Sequence, residues 1–185
     1  FRAGQVGAEA VVDQIRVSRL LVPLLANLGE SEDGAHGLKV DKSAELSIVT
    51  VKSPDGQDSL VVFSSVQAMT TWNESSRPVP TDAIRVCLAA ASQMSTRVVL
   101  DPGSDTEFVL RRPAIAKIAQ SLAWTPPERN PEVLATITDS ISQEPLILGF
   151  EAATADPESR LVGAELKITL QLQPKAEPVL VRELI

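Results

Sequence analysis

One cysteine, one histidine and no tyrosine leave this chain few side chains able to act as nucleophile or general base. Thiol chemistry needs a thiolate, held at a loop or a helix start with donors around it. Cys87 instead lies inside the apolar stretch Ile84-Arg85-Val86-Cys87-Leu88-Ala89, where helical packing raises a thiol's pKa and makes it inert, so we read it as a packing residue. His36 stands between Gly34-Ala35 and Gly37, with no second histidine and no cysteine nearby to complete a ligand set. It reads as a solvated loop histidine rather than a metal ligand or base. A serine hydrolase would need that histidine beside a Gly-x-Ser-x-Gly elbow, which the sequence lacks. The paired carboxylates Glu30/Glu32/Asp33 and Asp55/Asp58 fall in turns or in an acidic loop, where solvated charge is expected. No glycine-rich loop precedes a helix in a phosphate-binding pattern. No catalytic residue, cofactor or metal ligand is assigned.

One constellation offers recognition instead of a reaction. Ser64 and Ser65 follow one predicted strand and open a helix; Arg111 and Arg112 do the same after another. Hydroxyls, guanidinium groups and free helix N–H groups could then converge on an anion or on a partner's carboxylate, provided the two units pack about a pseudo-twofold axis. Trp72 and Arg77 would border that place. The bland alternative is that the serines only cap, the arginines are solvated or paired, and Trp72 is core.

These residues belong to a pattern that occurs twice: two short apolar runs, a Pro/Gly turn between them, and a helix. The first copy runs from Leu46 to Trp72 and the second from Arg97 to Ala119. In the first, Ile48–Lys52 and Leu60–Phe63 are strands around the turn Ser53-Pro54-Asp55-Gly56. Ser64 or Ser65 then caps a helix with Val66, Met69, Thr70 and Trp72 on one side. In the second, Val98–Leu100 and Phe108–Leu110 flank Asp101-Pro102-Gly103-Ser104, and Pro113 sits in the first turn of a helix carrying Ala114, Ile115, Ile118 and Leu122. Thr81 and Asp82 are expected to cap a connecting helix from Ala83 to about Gln93. Ahead of the repeat, Glu9–Val17 has helical spacing, Arg19–Leu28 reads as a strand buried on both faces, and residues 29–45 read as a mobile polar loop.

Beyond Thr125 the prolines at 126, 127 and 131 suggest a linker. An α-β-β order follows, from a helix at Pro131–Ser142 through strands at Leu146–Ala152 and Leu161–Leu172; the tail Val179–Ile185 would begin a further element. Whether that module is complete stays open at this point. The expected fold is therefore α/β, of the mixed α+β kind: about five strands in a mixed sheet built from two ββα units and a connecting helix, plus a smaller C-terminal α-β-β module. The expected domains are residues 1–125, a proline-rich linker at 126–130, and residues 131–185.

Composition narrows the partners. The 185 residues are 44% hydrophobic and 22% charged, as in an ordinary globular protein. Only 3% are aromatic, too few for a stacking groove. A net charge of −7 repels phosphate backbones and anionic lipid, so neither nucleic acid nor membrane is an expected partner. No apolar run approaches the roughly 20 residues needed to span a bilayer, and Leu20–Leu28 lacks the flanks of a signal peptide. The chain opens on Phe1, so a preceding targeting segment is left open. A lone cysteine fits a reducing, cytoplasmic setting.

Several short stretches together carry a family resemblance: Leu20-Leu21-Val22-Pro23, Val62-Phe63-Ser64-Ser65, Trp72, Arg77-Pro78-Val79-Pro80, Ala89-Ala90-Ala91-Ser92, Val99-Leu100-Asp101-Pro102 and Phe108-Val109-Leu110-Arg111-Arg112-Pro113. In that order the chain resembles the SseB family of enhanced serine sensitivity proteins, in its actinobacterial form, over about Arg19 to Trp124. The resemblance implies a cytoplasmic α/β protein with no established activity, named for a serine-sensitivity phenotype and associated with a sulfurtransferase. An unrelated secretion translocon component shares the letters, but the long coiled-coil or membrane-active helices such a component needs are absent from this sequence. The preferred function is a non-catalytic protein-binding or regulatory module, with exposed sheet edges that support self-association or a partner strand. The alternative is an enzyme, or a sulfurtransferase accessory, in sulfur or serine metabolism.

Overall fold

The computed structural model describes residue 1 and residues 3–25, 39–40, 49–53, 56–92 and 97–174. His36, the end of the first predicted strand and the tail Val179–Ile185 lie outside them. The chain divides into two compact units, Phe1–Trp124 with Glu158–Leu161, and Thr125–Pro157 with Val162–Ile185.

The first unit opens with helix α1, Ala8–Arg16, which buries Val12 and Ile15 and carries Glu9 in its first turn and Arg16 in its last, each complementing the helix dipole. Strand β1 follows at Arg19–Leu24. Next come β2 (Lys39–Val40), β3 (Val49–Lys52), β4 (Asp58–Val62), α2 (Val66–Trp72), β5 (Arg77–Asp82), α3 (Ala83–Ser92), β6 (Arg97–Leu100), β7 (Phe108–Arg111) and α4 (Arg112–Ala119). Five strands form one mixed sheet in the order β2-β3-β4-β6-β7. Every neighbouring pair in it is antiparallel except β4 and β6, which run parallel with Val62 opposite Leu100.

Strand alternation sends side chains to two different cores. Leu60 and Val62 of β4, Val98 and Leu100 of β6, and Phe108 and Leu110 of β7 pack with α1, α3 and α4. Val61 and Phe63 point the other way, onto Met69 of α2, with Leu21 and Trp72 at the margin of that smaller cluster. Phe63 and Trp72 stack obliquely, ring centroids 5.3 Å apart. Helix α2 therefore covers one face of the sheet, and α1, α3 and α4 cover the other.

The α/β class and a five-stranded sheet stand as expected, with different membership. The first predicted strand does not join that sheet: β1 pairs with β5 in a two-stranded ribbon, Arg19 opposite Asp82 and Leu24 opposite Arg77. Among the described residues one bridge ties the ribbon to the sheet, through reciprocal 2.9 Å bonds between Leu21 and Phe63. The fifth strand is Lys39–Val40, inside the stretch expected to be loop. Strand β5 carries two prolines, Pro78 and Pro80, which lack an N–H but are tolerated in an edge strand. Thr81 and Asp82, expected as helix caps, are the last residues of that strand. Two apolar residues assigned to helix faces are also displaced: Val66 is 52% exposed, and Leu122, beyond the end of α4, is 48% exposed. Ser121, in the left-handed region at φ 59°, turns the chain away from the α4 axis before Leu122.

In the second unit, a 3-10 turn at Pro127–Arg129 leads into α5, Pro131–Ile141, whose Asn130 cap accepts from the Glu132 and Val133 N–H groups at 3.0 and 3.5 Å. Strands β8 (Ile147–Ala153) and β9 (Lys167–Leu172) pair antiparallel, with an irregularity between Ile147 and Gly149. The α-β-β order matches the expectation, although β9 starts later than the predicted Leu161.

Candidate functional site

Two parallel strands side by side must end on the same edge of the sheet, and in open α/β sheets ligands bind beyond such carboxyl ends. Here β4 runs on through Phe63 and Ser64 into α2, while β6 runs into the turn Asp101-Pro102-Gly103-Ser104. A single buried carboxylate ties the two exits together. Asp101 is 1% exposed. One of its oxygens accepts from the Ser64 N–H at 2.7 Å, and the other accepts from the Ser64 hydroxyl at 2.6 Å and the Thr106 hydroxyl at 2.9 Å. Its own N–H donates to the Val62 carbonyl at 2.9 Å, and its carbonyl accepts from the Ser104 hydroxyl at 2.8 Å. The backbone of Asp101 is left-handed, φ 50°, a conformation that Asp tolerates better than most residues, and Gly103 at φ 75° completes the reversal. Arg160, in the Glu158–Leu161 segment that joins this unit, donates to the Ser104 carbonyl at 2.9 Å and fixes the outer side of the turn.

A cleft of about 690 Å³ opens between this turn and α2. Val51, Ser65, Gln67, Thr71 and Trp72 form one side, and Pro102 to Ser104 form the other. Helix α2 faces it because Met69 anchors the opposite side of the helix in the small core and the Ser65 hydroxyl caps it, accepting from the Ala68 N–H at 3.1 Å. None of these lining side chains ionises near neutral pH. The lining side chains supply hydroxyls, an amide, a half-buried indole and a small apolar patch, and beside them the Glu107 carboxylate accepts from the Gly103 N–H at 2.6 Å.

The six candidate residues do not form one site. Ser65 and Trp72 line the cleft, and Ser64 stands at its edge with its polar groups engaged by Asp101. Arg77 opens β5 opposite Leu24, exposed and outside the cleft. Arg111 ends β7 opposite Arg97, at the start of β6 and hence at the far end of the sheet, and Arg112 begins α4 on the other face. The reason is the parallel β4/β6 pairing, which relates the two ββα units by a rotation that reverses strand direction and exchanges faces. Their helix starts therefore point away from each other. Sequence reasoning missed Asp101, read only as a turn residue; the available signal was an acidic residue placed between an apolar strand and a Pro-Gly turn.

Cys87 is fully buried in the larger core, and burial pushes its thiol up to about 12. Among the described residues no group of three or more His, Cys, Asp or Glu side chains could hold a metal ion. Among the same residues no helix is long and apolar enough to cross a membrane.

The fold defines an α/β domain whose parallel strand pair ends beside a cleft lined by uncharged side chains. The family model for the SseB protein N-terminal domain matches residues 1–117, and the chain belongs to the SseB family. No curated relative and no solved structure matches the chain.

Proposed function

We propose that this chain is a non-catalytic protein-binding or regulatory module, and that the cleft between α2 and the Asp101–Ser104 turn receives the partner. The observation that carries this reading is the neutral lining: a groove of about 690 Å³ with Gln67, Thr71, Ser65 and Trp72 on its wall can recognise backbone amides and apolar side chains. Tryptophan is also among the side chains most enriched at binding hot spots. The competing role, an enzyme or sulfurtransferase accessory in sulfur or serine metabolism, gains no support from Cys87, whose burial and raised pKa disfavour a sulfur-carrying thiolate. A cytoplasmic setting, with neither nucleic acid nor membrane as partner, belongs to the same proposal and rests on the single cysteine and the net charge of −7. We also propose residues 1–125 and 131–185 as separate domains joined at 126–130; the compact units divide after Trp124, with Glu158–Leu161 returning to the first, and limited proteolysis cutting first at 126–130 is the expected result.

The test of the binding role is capture of partners from native extract with the unaltered chain and with Thr71→Arg, a substitution at an exposed position that blocks the cleft. A protein retained by the first and lost by the second supports the reading. Equal retention by both, with Thr71→Arg folded, overturns it.

A further inference from the structure

A second cleft lies elsewhere in the first unit, between the β1/β5 ribbon and α3. It holds about 260 Å³, and its floor is the buried Val22 and Leu60, with Val79, Val86 and Ala89 closing the sides. Ala89 follows Arg85 by one helical turn, so the small methyl leaves space directly beside the guanidinium stem. At the mouth stand Arg19, Asp82 and Arg85. Arg19 is committed: it donates to the Pro80 carbonyl at 3.1 Å and pairs with Asp82 at 3.6 Å. Asp82 is thereby engaged by Arg19, and among the described residues the Arg85 guanidinium forms no ion pair or hydrogen bond at the mouth of this largely apolar pocket, in a chain whose net charge is −7.

We propose that this cleft binds a short branched aliphatic carboxylate, its chain on Val22, Leu60 and Val86 and its carboxylate on Arg85. The volume falls below the roughly 300–1,000 Å³ of pockets for drug-sized ligands, which fits one aliphatic side chain and excludes a nucleotide. Guanidinium is the group suited to a planar carboxylate. The same chemistry is presented by a free aliphatic acid and by the C-terminal residue of a polypeptide ending in leucine or valine.

The experiment is amide chemical-shift titration of the whole chain with 4-methylpentanoate, with the uncharged 4-methylpentan-1-ol, with acetate, and with a short peptide ending in leucine as free acid or amide. Shifts at Val79, Thr81, Arg85 and Ala89 with 4-methylpentanoate, and much weaker ones with the alcohol and acetate, are the expected result. Arg85→Ala, at an exposed position, should weaken binding roughly tenfold, the order of one charge-assisted hydrogen bond. Ala89→Leu, checked by its melting profile, should abolish binding by filling the cleft. Tighter binding of the free-acid peptide than of 4-methylpentanoate identifies a polypeptide C-terminus as the source; the reverse identifies a free acid. Absence of shifts with every acid overturns the proposal. Equal binding of the alcohol, or undiminished binding by Arg85→Ala, overturns it as well.

Discussion

Replacing Asp101 tests how the candidate cleft is built. Its buried carboxylate accepts three hydrogen bonds, two from Ser64 and one from Thr106. Hydrogen bonds to a charged group contribute on the order of 1.5–3 kcal/mol each, and they are not additive when they share one acceptor. Asp101→Ala removes the acceptor, strands the Ser64 N–H, and places alanine at φ 50°, a left-handed backbone that costs roughly 1–2 kcal/mol more for a residue with an ordinary Cβ. Together these give a loss of about 3–4 kcal/mol. Asp101→Asn keeps the shape, the left-handed tolerance and one carbonyl acceptor, so its loss should be about half as large. Asp101→Gly relieves the backbone but not the lost acceptor, and should fall between the two. Urea unfolding, followed by far-UV circular dichroism and by the combined fluorescence of Trp72 and Trp124, reads all three. Should Asp101→Ala unfold within about 0.5 kcal/mol of the unaltered chain, the carboxylate is not the tie described above.

Other outcomes follow from the same geometry. Ser65→Ala removes the α2 cap and should cost about 1 kcal/mol in the same unfolding assay. Met69→Ala, at a position that is 0% exposed and central to the smaller core, should cost roughly 2–5 kcal/mol and loosen α2 without unfolding the α1/α3/α4 side, as amide exchange would resolve. The Cys87 thiol has its folded pKa raised from 9.0 to about 12, so its contribution to stability is complete below pH 9 and is lost as pH rises toward 12. Unfolding free energy should fall through that window by on the order of 1.4 kcal/mol per pH unit at the steepest, and Cys87→Ala should flatten the slope. Thiol reagents at neutral pH should label Cys87 only as fast as the chain unfolds.

Local signals in the sequence reached the helices and both hairpins because each is specified by adjacent residues. Apolar spacing marks α1 and α4, Ser65 marks the start of α2, and the Pro-Gly turn marks the reversal before β7. The ribbon was not legible, since Arg77–Asp82 carries two prolines and acquires strand geometry only by pairing with β1. Nor was the β4/β6 pairing, a contact between residues distant in sequence that no local pattern encodes. That pairing decides the candidate site: it brings Ser64 to Asp101 and sends Arg111 and Arg112 to the opposite end. Asp101 escaped attention because its turn chemistry is local whereas its burial and its bond to Ser64 are not. The second cleft was equally hidden, as Arg85 and Ala89 are unremarkable helix residues until β5 is placed beside them.

The central claim, that this SseB-family chain works by receiving a partner at the carboxyl ends of β4 and β6, is tested most directly by site-specific photo-crosslinking in native cells. A benzoylphenylalanine replacing Thr71 should yield a discrete protein adduct, and the same group replacing Arg112 should not. Adducts at Arg112 with none at Thr71 would contradict the account.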